Sequence, residues 1–183
     1  MDPDITTVAA RAIAWAEDRR GSTAYATRCL AFVEDAVERA NELEVFGGDD
    51  AAATAELFHA SDRTDPPPRG AFAFYSAIGE IAGRTKDWGH VGLSLGHGLV
   101  IHAWDRVRVD DHRELESLRP APAWSAPRWI GWVPLETILA TARPHRWPAG
   151  ETAEEAARRD QQHMLRPRAS DTTEFDSSTN PRR

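Results

Sequence analysis

Apolar residues recur at helical spacing through the first third of the chain and at strand spacing after it. From Thr6 to about Glu17, Val8, Ala12, Trp15 and Ala16 fall on one helical stripe. Gly21 and Ser22 break that helix. A second helix is expected from roughly Thr27 to Leu43, with Leu30, Val33, Ala36, Val37, Ala40 and Leu43 on one side. The GGDD stretch at 47–50 ends it and offers Asp49 or Asp50 as N-cap for an Ala-rich third helix through about Ala60. SDRTDPPPRG then reads as a loop, since three consecutive prolines neither donate hydrogen bonds nor continue a helix.

After Gly70 the period shortens to two. AFAFY (71–75), HVGLSL (90–95), GLVIHAW (98–104) and RVRVD (106–110) read as strands, and PRWIGWV (127–133) supplies a fifth. Pro134 followed by LETILA predicts a short closing helix with proline in its first turn. Helices first and strands afterwards is an α+β layout: N-terminal helices packed on a five- to six-stranded antiparallel sheet. One domain over 1–147 is expected. Beyond it, 148–183 reads as a polar, largely disordered tail, because Met164, Leu165 and Phe175 are its only large apolar residues and cannot offset the ordering entropy.

The strand pair 90–95 and 98–104 sorts its side chains by face. With a loop at Gly96-His97-Gly98, Leu95 faces Leu99, Gly92 faces His102 and His90 faces Trp104. Val91, Leu93, Leu95, Leu99, Ile101 and Ala103 then form one apolar face, which sets the register, because a one-residue slip would turn them to the other side. On the remaining face His90 and His102 are diagonal neighbours within side-chain reach. His97 sits on the turn and points elsewhere. Asp87 and Asp105 lie off the strand ends, so no preformed metal site is expected.

Composition narrows the function classes. A formal charge of −7 argues against a general phosphate-backbone binder, so no nucleic-acid partner is expected. The single cysteine, Cys29, excludes an internal disulfide and a four-thiolate zinc site. No cofactor is called for. The N-terminal segment does not read as a secretory signal and no stretch reaches membrane-span length, so the expected location is cytoplasmic, with signal-independent export as the alternative.

Cys29 falls in the first turn of the second helix, where unpaired backbone N–H groups and the helix dipole favour a negative sulfur. A nearby imidazolium would lower a thiol pKa further. Cys29 opening a helix, GAFAFY after a Pro-rich loop, HVGLSLGHGLVIHA with His90 and His102, and the late IGWVPLETIL together resemble the NlpC-type cell-wall peptidases over about residues 8 to 142. Those are papain-like cysteine peptidases of α+β fold. The resemblance implies Cys29 as nucleophile, His90 as general base and His102 as the polar residue that orients it. It also implies a substrate or oxyanion role for Tyr25, which stands four residues before the cysteine.

The resemblance is incomplete. The family usually reads Asp-Cys-Ser-Gly at its nucleophile, and this chain reads Arg28-Cys29-Leu30-Ala31. Arg28 is expected to favour the thiolate or to meet a substrate carboxylate, and Trp88 to line the substrate cleft. The expected activity is cleavage of an amide or peptide bond, in peptidoglycan stem peptides if the family substrate is kept, with a peptide or muropeptide as partner. Acyl transfer on the same scaffold and non-catalytic binding of a peptide or partner are the alternatives, and the sequence leaves oligomeric state open.

Overall fold

A computed structural model describes residues 4–61 and 66–147. The tail expected over 148–183 lies outside the described residues. Helix α1 spans Ile5–Glu17, begun by Asp4, whose carboxylate accepts from the Thr6 and Thr7 N–H groups. Helix α2 is Cys29–Asn41 and stops at Glu42, which adopts a left-handed conformation (φ 52°). Strand β1 is Leu43–Glu44 and helix α3 is Ala51–Leu57. Of the two expected caps, Asp50 begins α3, its carboxylate accepting from the Ala53 N–H at 2.9 Å.

Strands β2 (Phe72–Ser76), β3 (Ile78–Ile81), β4 (Arg84–Asp87), β5 (His90–Gly96), β6 (Leu99–Ala103) and β7 (Val107–Asp111) follow. A 3-10 turn at Glu114–Ser117, β8 (Arg128–Val133), α4 (Leu135–Leu139) and β9 (Arg143–Pro144) complete the described chain. The main sheet has five antiparallel strands in the order β7-β6-β5-β2-β8. The architecture is thus mixed helix and sheet, with helices leading and an antiparallel sheet after them. No helix among the described residues is long and apolar enough to cross a membrane.

Both faces of the sheet are covered. On one, Val8, Ala12 and Ile13 of α1 and Phe32, Val33, Ala36 and Val37 of α2 meet Phe72, Phe74, Val91, Leu93 and Ile101. Burying apolar surface stabilises by about 25 cal/mol per Å², so this layer supplies most of the driving force. On the other face a smaller cluster joins Ala73, Tyr75, Val100 and Leu115, with Trp129 packed against it. The Tyr75 hydroxyl there donates to the His112 carbonyl at 2.8 Å.

The β5–β6 register differs from simple alternation at its turn end. Gly92 pairs with His102 and Leu93 with Ile101, as the apolar pattern requires, but a bulge between Ser94 and Gly96 makes Gly96 the partner of Leu99. The turn is therefore His97-Gly98, both at positive φ (53° and 81°), which suits a two-residue hairpin connection. Leu99, placed in the core by alternation, is 42% exposed, because the extra residue shifts the pairing by one.

Two small pairings carry no apolar alternation and are not evident in the sequence. The strands β3 and β4 form a separate ribbon turned at Ala82-Gly83, and β1 pairs with β9.

Candidate active site

Cys29 is the first residue of α2, and the segment before it is sewn to the end of the β6–β7 hairpin. The Gly21 N–H donates to the Val107 carbonyl and the Val107 N–H to the Ser22 carbonyl, both at 2.8 Å; the Thr27 N–H donates to the Trp104 carbonyl at 3.2 Å. These bonds carry the helix N-terminus to the part of the sheet where β5 begins. Cys29 is half-buried and packs on the main core. Its sulfur lies against the N–H of Val91, the residue after His90, and against its own N–H and that of Leu30.

His90 opens β5 opposite Tyr75, and His102 sits on β6 opposite Gly92. The glycine matters. A Cβ there would lie 2.3 Å from Val100 Cγ1 and 2.9 Å from His102 Cβ, so its absence lets the His102 side chain lie over β5 toward His90. Nε2 of His90 and Nδ1 of His102 are 2.9 Å apart. Both residues are buried, at 2% and 0% exposure, and the His90 ring stands nearly perpendicular to Trp104, with centroids 5.1 Å apart. His97 is exposed on the turn, away from the pair.

Asp110 extends the pair and was not singled out in the sequence. Its Oδ2 is 2.9 Å from His102 Nε2, and Arg108 donates to it through Nε at 2.6 Å and Nη2 at 2.8 Å. Strand pairing sets this geometry: Arg108 lies opposite His102 and Asp110 opposite Val100, so His102 and Asp110 are diagonal neighbours on one face. The alternation in RVRVD already held that signal.

The electrostatics correct the expectation of a preformed thiolate. Desolvation pushes the Cys29 thiol up to about 11, outweighing the N–H groups that pull it down, and Glu34 adds to the rise. Arg28 is not among the leading influences on it. Burial and the His102 ring hold His90 well below the ordinary imidazole range. Burial lowers His102 as well, against the pull of Asp110. The hydrogen bond from His102 and those from Arg108 keep Asp110 ionised, well below the usual carboxylate range. At rest, sulfur and both rings are neutral, because a thinly hydrated site penalises every charge it does not pair.

The same helix carries two carboxyls shifted the other way. Desolvation pushes Glu34 up to about 8 and Glu38 up to about 7, and neighbouring acids add to both. Between about 4.5, their ordinary value, and 8 the folded state binds more protons than the unfolded one, so stability falls as pH rises. The buried histidines act oppositely: below 6.5 the unfolded chain binds more protons, so stability falls with falling pH. Above 6.5 the histidine contribution fades and the carboxyls prevail. The thermal midpoint should decline from pH 6.5 to 8, and Glu34→Gln with Glu38→Gln should flatten that decline. A wild-type midpoint constant across this window would contradict the assignment.

The other expected site residues fall at different distances from the chemistry. Tyr25, expected at the cleft, is fully buried among Trp15 and Phe32. Its hydroxyl donates to Asp35 at 2.6 Å, which the core position and the polar handle of tyrosine explain together. Arg28 is buried and occupies the N-cap position of α2 without a side-chain cap bond. Trp88 is half-buried, its Nε1–H donating to the Gly79 carbonyl at 3.0 Å and its ring lying under Lys86. An open depression lined by Asp50, Glu56, Lys86, Asp87 and Ile130 contains neither the thiol nor the histidines. Asp87 accepts from the Ala77 and Gly89 N–H groups. Among the described residues no group of three or more His, Cys, Asp or Glu side chains is placed to hold a metal ion.

No family model and no curated protein matches the chain. Among solved structures it is similar to RipD from Mycobacterium tuberculosis, described as a non-catalytic NlpC/p60 domain protein adapted to peptidoglycan binding. The TM-score is 0.39 at 15% identity, over 67% of this chain and 95% of that one.

Proposed function

We propose that this chain is a papain-like cysteine hydrolase of NlpC type, cleaving an amide in a peptide, with a peptidoglycan stem peptide as the substrate class. One observation carries the reading. His90 is tied through Nε2 to His102 at 2.9 Å, which leaves Nδ1 as the ring nitrogen available to a thiol lying against the neighbouring Val91. A thiol hydrolase requires a nucleophile, a base and an orienting partner, and the reading assigns those roles to Cys29, His90 and His102.

Because the resting groups are neutral, deprotonation accompanies attack. His90 Nδ1 takes the thiol proton as sulfur bonds to the carbonyl carbon, and the carbonyl π pair moves to oxygen. The N–H of Cys29 at the start of α2 would meet that oxyanion. Collapse returns the proton from Nδ1 to the leaving amine, and water assisted by His90 then resolves the thioester. An amine or alcohol in place of water would make the same intermediate an acyl donor.

The neutral pair also favours a second reading, a non-catalytic member that binds a peptide in its cleft. An electrophilic thiol probe applied to the full chain, followed by digestion of purified muropeptides and a peptide library, separates the two. Labelling confined to Cys29 with turnover lost in Cys29→Ala is the expected result. Peptide binding unchanged in Cys29→Ala, with no turnover of any substrate, would replace the first reading with the second.

A further inference from the structure

We propose that Asp110 is a positioning residue that acts through His102 to make Nδ1, rather than Nε2, the basic nitrogen of His90; this rests on the hydrolase reading above. Two neutral imidazoles joined by one hydrogen bond have two arrangements. In one, His90 Nε2–H donates to His102 Nδ1, and His90 Nδ1 carries a lone pair. In the other, His102 Nδ1–H donates to His90 Nε2, and His90 Nδ1 carries a proton it cannot accept again. Nothing within the pair selects between them.

Asp110 does. An ionised carboxylate only accepts, so at 2.9 Å from His102 Nε2 it requires a proton on that nitrogen. Neutral His102 then has a bare Nδ1, which must accept from His90 Nε2 across the second 2.9 Å contact. His90 Nδ1 is left as the base. The two donations from Arg108, at 2.6 and 2.8 Å, hold the carboxylate in place.

The same residue answers for charge. When Nδ1 takes the thiol proton, the bond to sulfur breaks, a bond to nitrogen forms, and the ring becomes cationic in a buried site. The groups around the histidines are Arg108 and Asp110 from β7, Asp105 from the β6–β7 turn and Tyr75 from β2, while the Cys29 sulfur lies against the N–H of Val91, next to His90. Asp110 is the carboxylate in direct contact with the pair, and Arg108 opposes the cation while holding that carboxylate in place.

Asp110→Asn in the full chain tests this. The substitution keeps size and one acceptor oxygen but adds a donor and removes the charge. With histidine side chains labelled in nitrogen-15, wild-type protein should show His90 protonated at Nε2 alone, and Asp110→Asn should show both forms or the inverse. Alkylation of Cys29 by iodoacetamide at neutral pH should slow about 10- to 100-fold, less than the ~10⁴-fold loss when a carboxylate touches the base itself. Asp110→Glu should restore part of both readouts. An unchanged His90 tautomer with alkylation within about twofold of wild type would overturn the proposal. If Asp110→Asn does not fold, Asp110→Ser, which also removes the carboxylate, is read by the same two outcomes. If wild-type alkylation proves independent of His90, the hydrolase reading fails, while the tautomer measurement still judges Asp110.

Discussion

His90→Ala should slow Cys29-dependent amide cleavage by about 10²- to 10⁴-fold, the usual range for loss of a general acid–base group. The expectation is at the upper end here, because the thiol is pushed up to about 11 and supplies little thiolate unaided at neutral pH. Removing the base therefore removes the only neighbouring proton acceptor the mechanism uses. His102→Ala should cost less, since it leaves the base but frees its tautomer. His97→Ala should leave the rate near wild type, because that side chain is exposed on the β5–β6 turn. Turnover of the peptide identified by digestion, and iodoacetamide alkylation at pH 7, read the three variants on one scale. Equal alkylation of Cys29 in wild type and His90→Ala would show that this imidazole does not serve the thiol.

The second large effect is on stability. Gly89→Ala should lose about 2–5 kcal/mol, from about 1–2 for a left-handed alanine and about 1–3 for overpacking. Gly89 has φ 71°, and a Cβ there would lie 2.4 Å from the Ala52 nitrogen and 2.9 Å from the Ala51 carbonyl carbon. Those are backbone atoms at the start of α3, already bound to the link between β4 and β5 by the Ala52 N–H and the Trp88 carbonyl. Relief requires moving a helix. Gly83→Ala is the internal control, since Gly83 also has positive φ (76°) but nothing within 4 Å of the added carbon. Urea midpoints at constant m-value should place the Gly83 variant near the backbone cost alone. Equal losses for the two would mean that contact with α3 adds nothing. Gly89 also precedes His90, so the variant should lower activity in the fraction that remains folded.

These expectations separate by how local their causes are. α1, α2 and the β5–β6 hairpin carry apolar positions at a constant period, and a buried stripe of this kind is recorded directly in the chain. The Gly92–His102 pairing followed from it, since any other register would have exposed Leu93 and Ile101. Leu99 did not follow, because a bulge at the turn end changes the pairing without altering the pattern on either side. The β3–β4 ribbon was missed for the opposite reason. It has little buried face and therefore little periodicity to read.

The site divides in the same way. His90 and His102 were legible because one hairpin brings them together, and Asp110 was within reach of the same logic one strand further on. The family resemblance implies a cleft role for Tyr25, but its direction is decided by Trp15, Phe32 and Asp35, which lie on two helices. The upward shift of the thiol is not legible in the sequence, because a helix N-terminus is a local feature, whereas desolvation comes from every element packed around the sulfur.

Sequence by itself therefore determined the helices and the strands of the main sheet, the α+β order and the histidine pairing, since each follows from contacts between near neighbours on one helix or hairpin. Tertiary structure alone decided where the sulfur lies, which carboxylate ends the histidine chain, and that the resting groups are uncharged. Those depend on distances between separate elements and on water excluded between them. A periodic pattern records which side of an element is dry, and carries no measure of what packs against it.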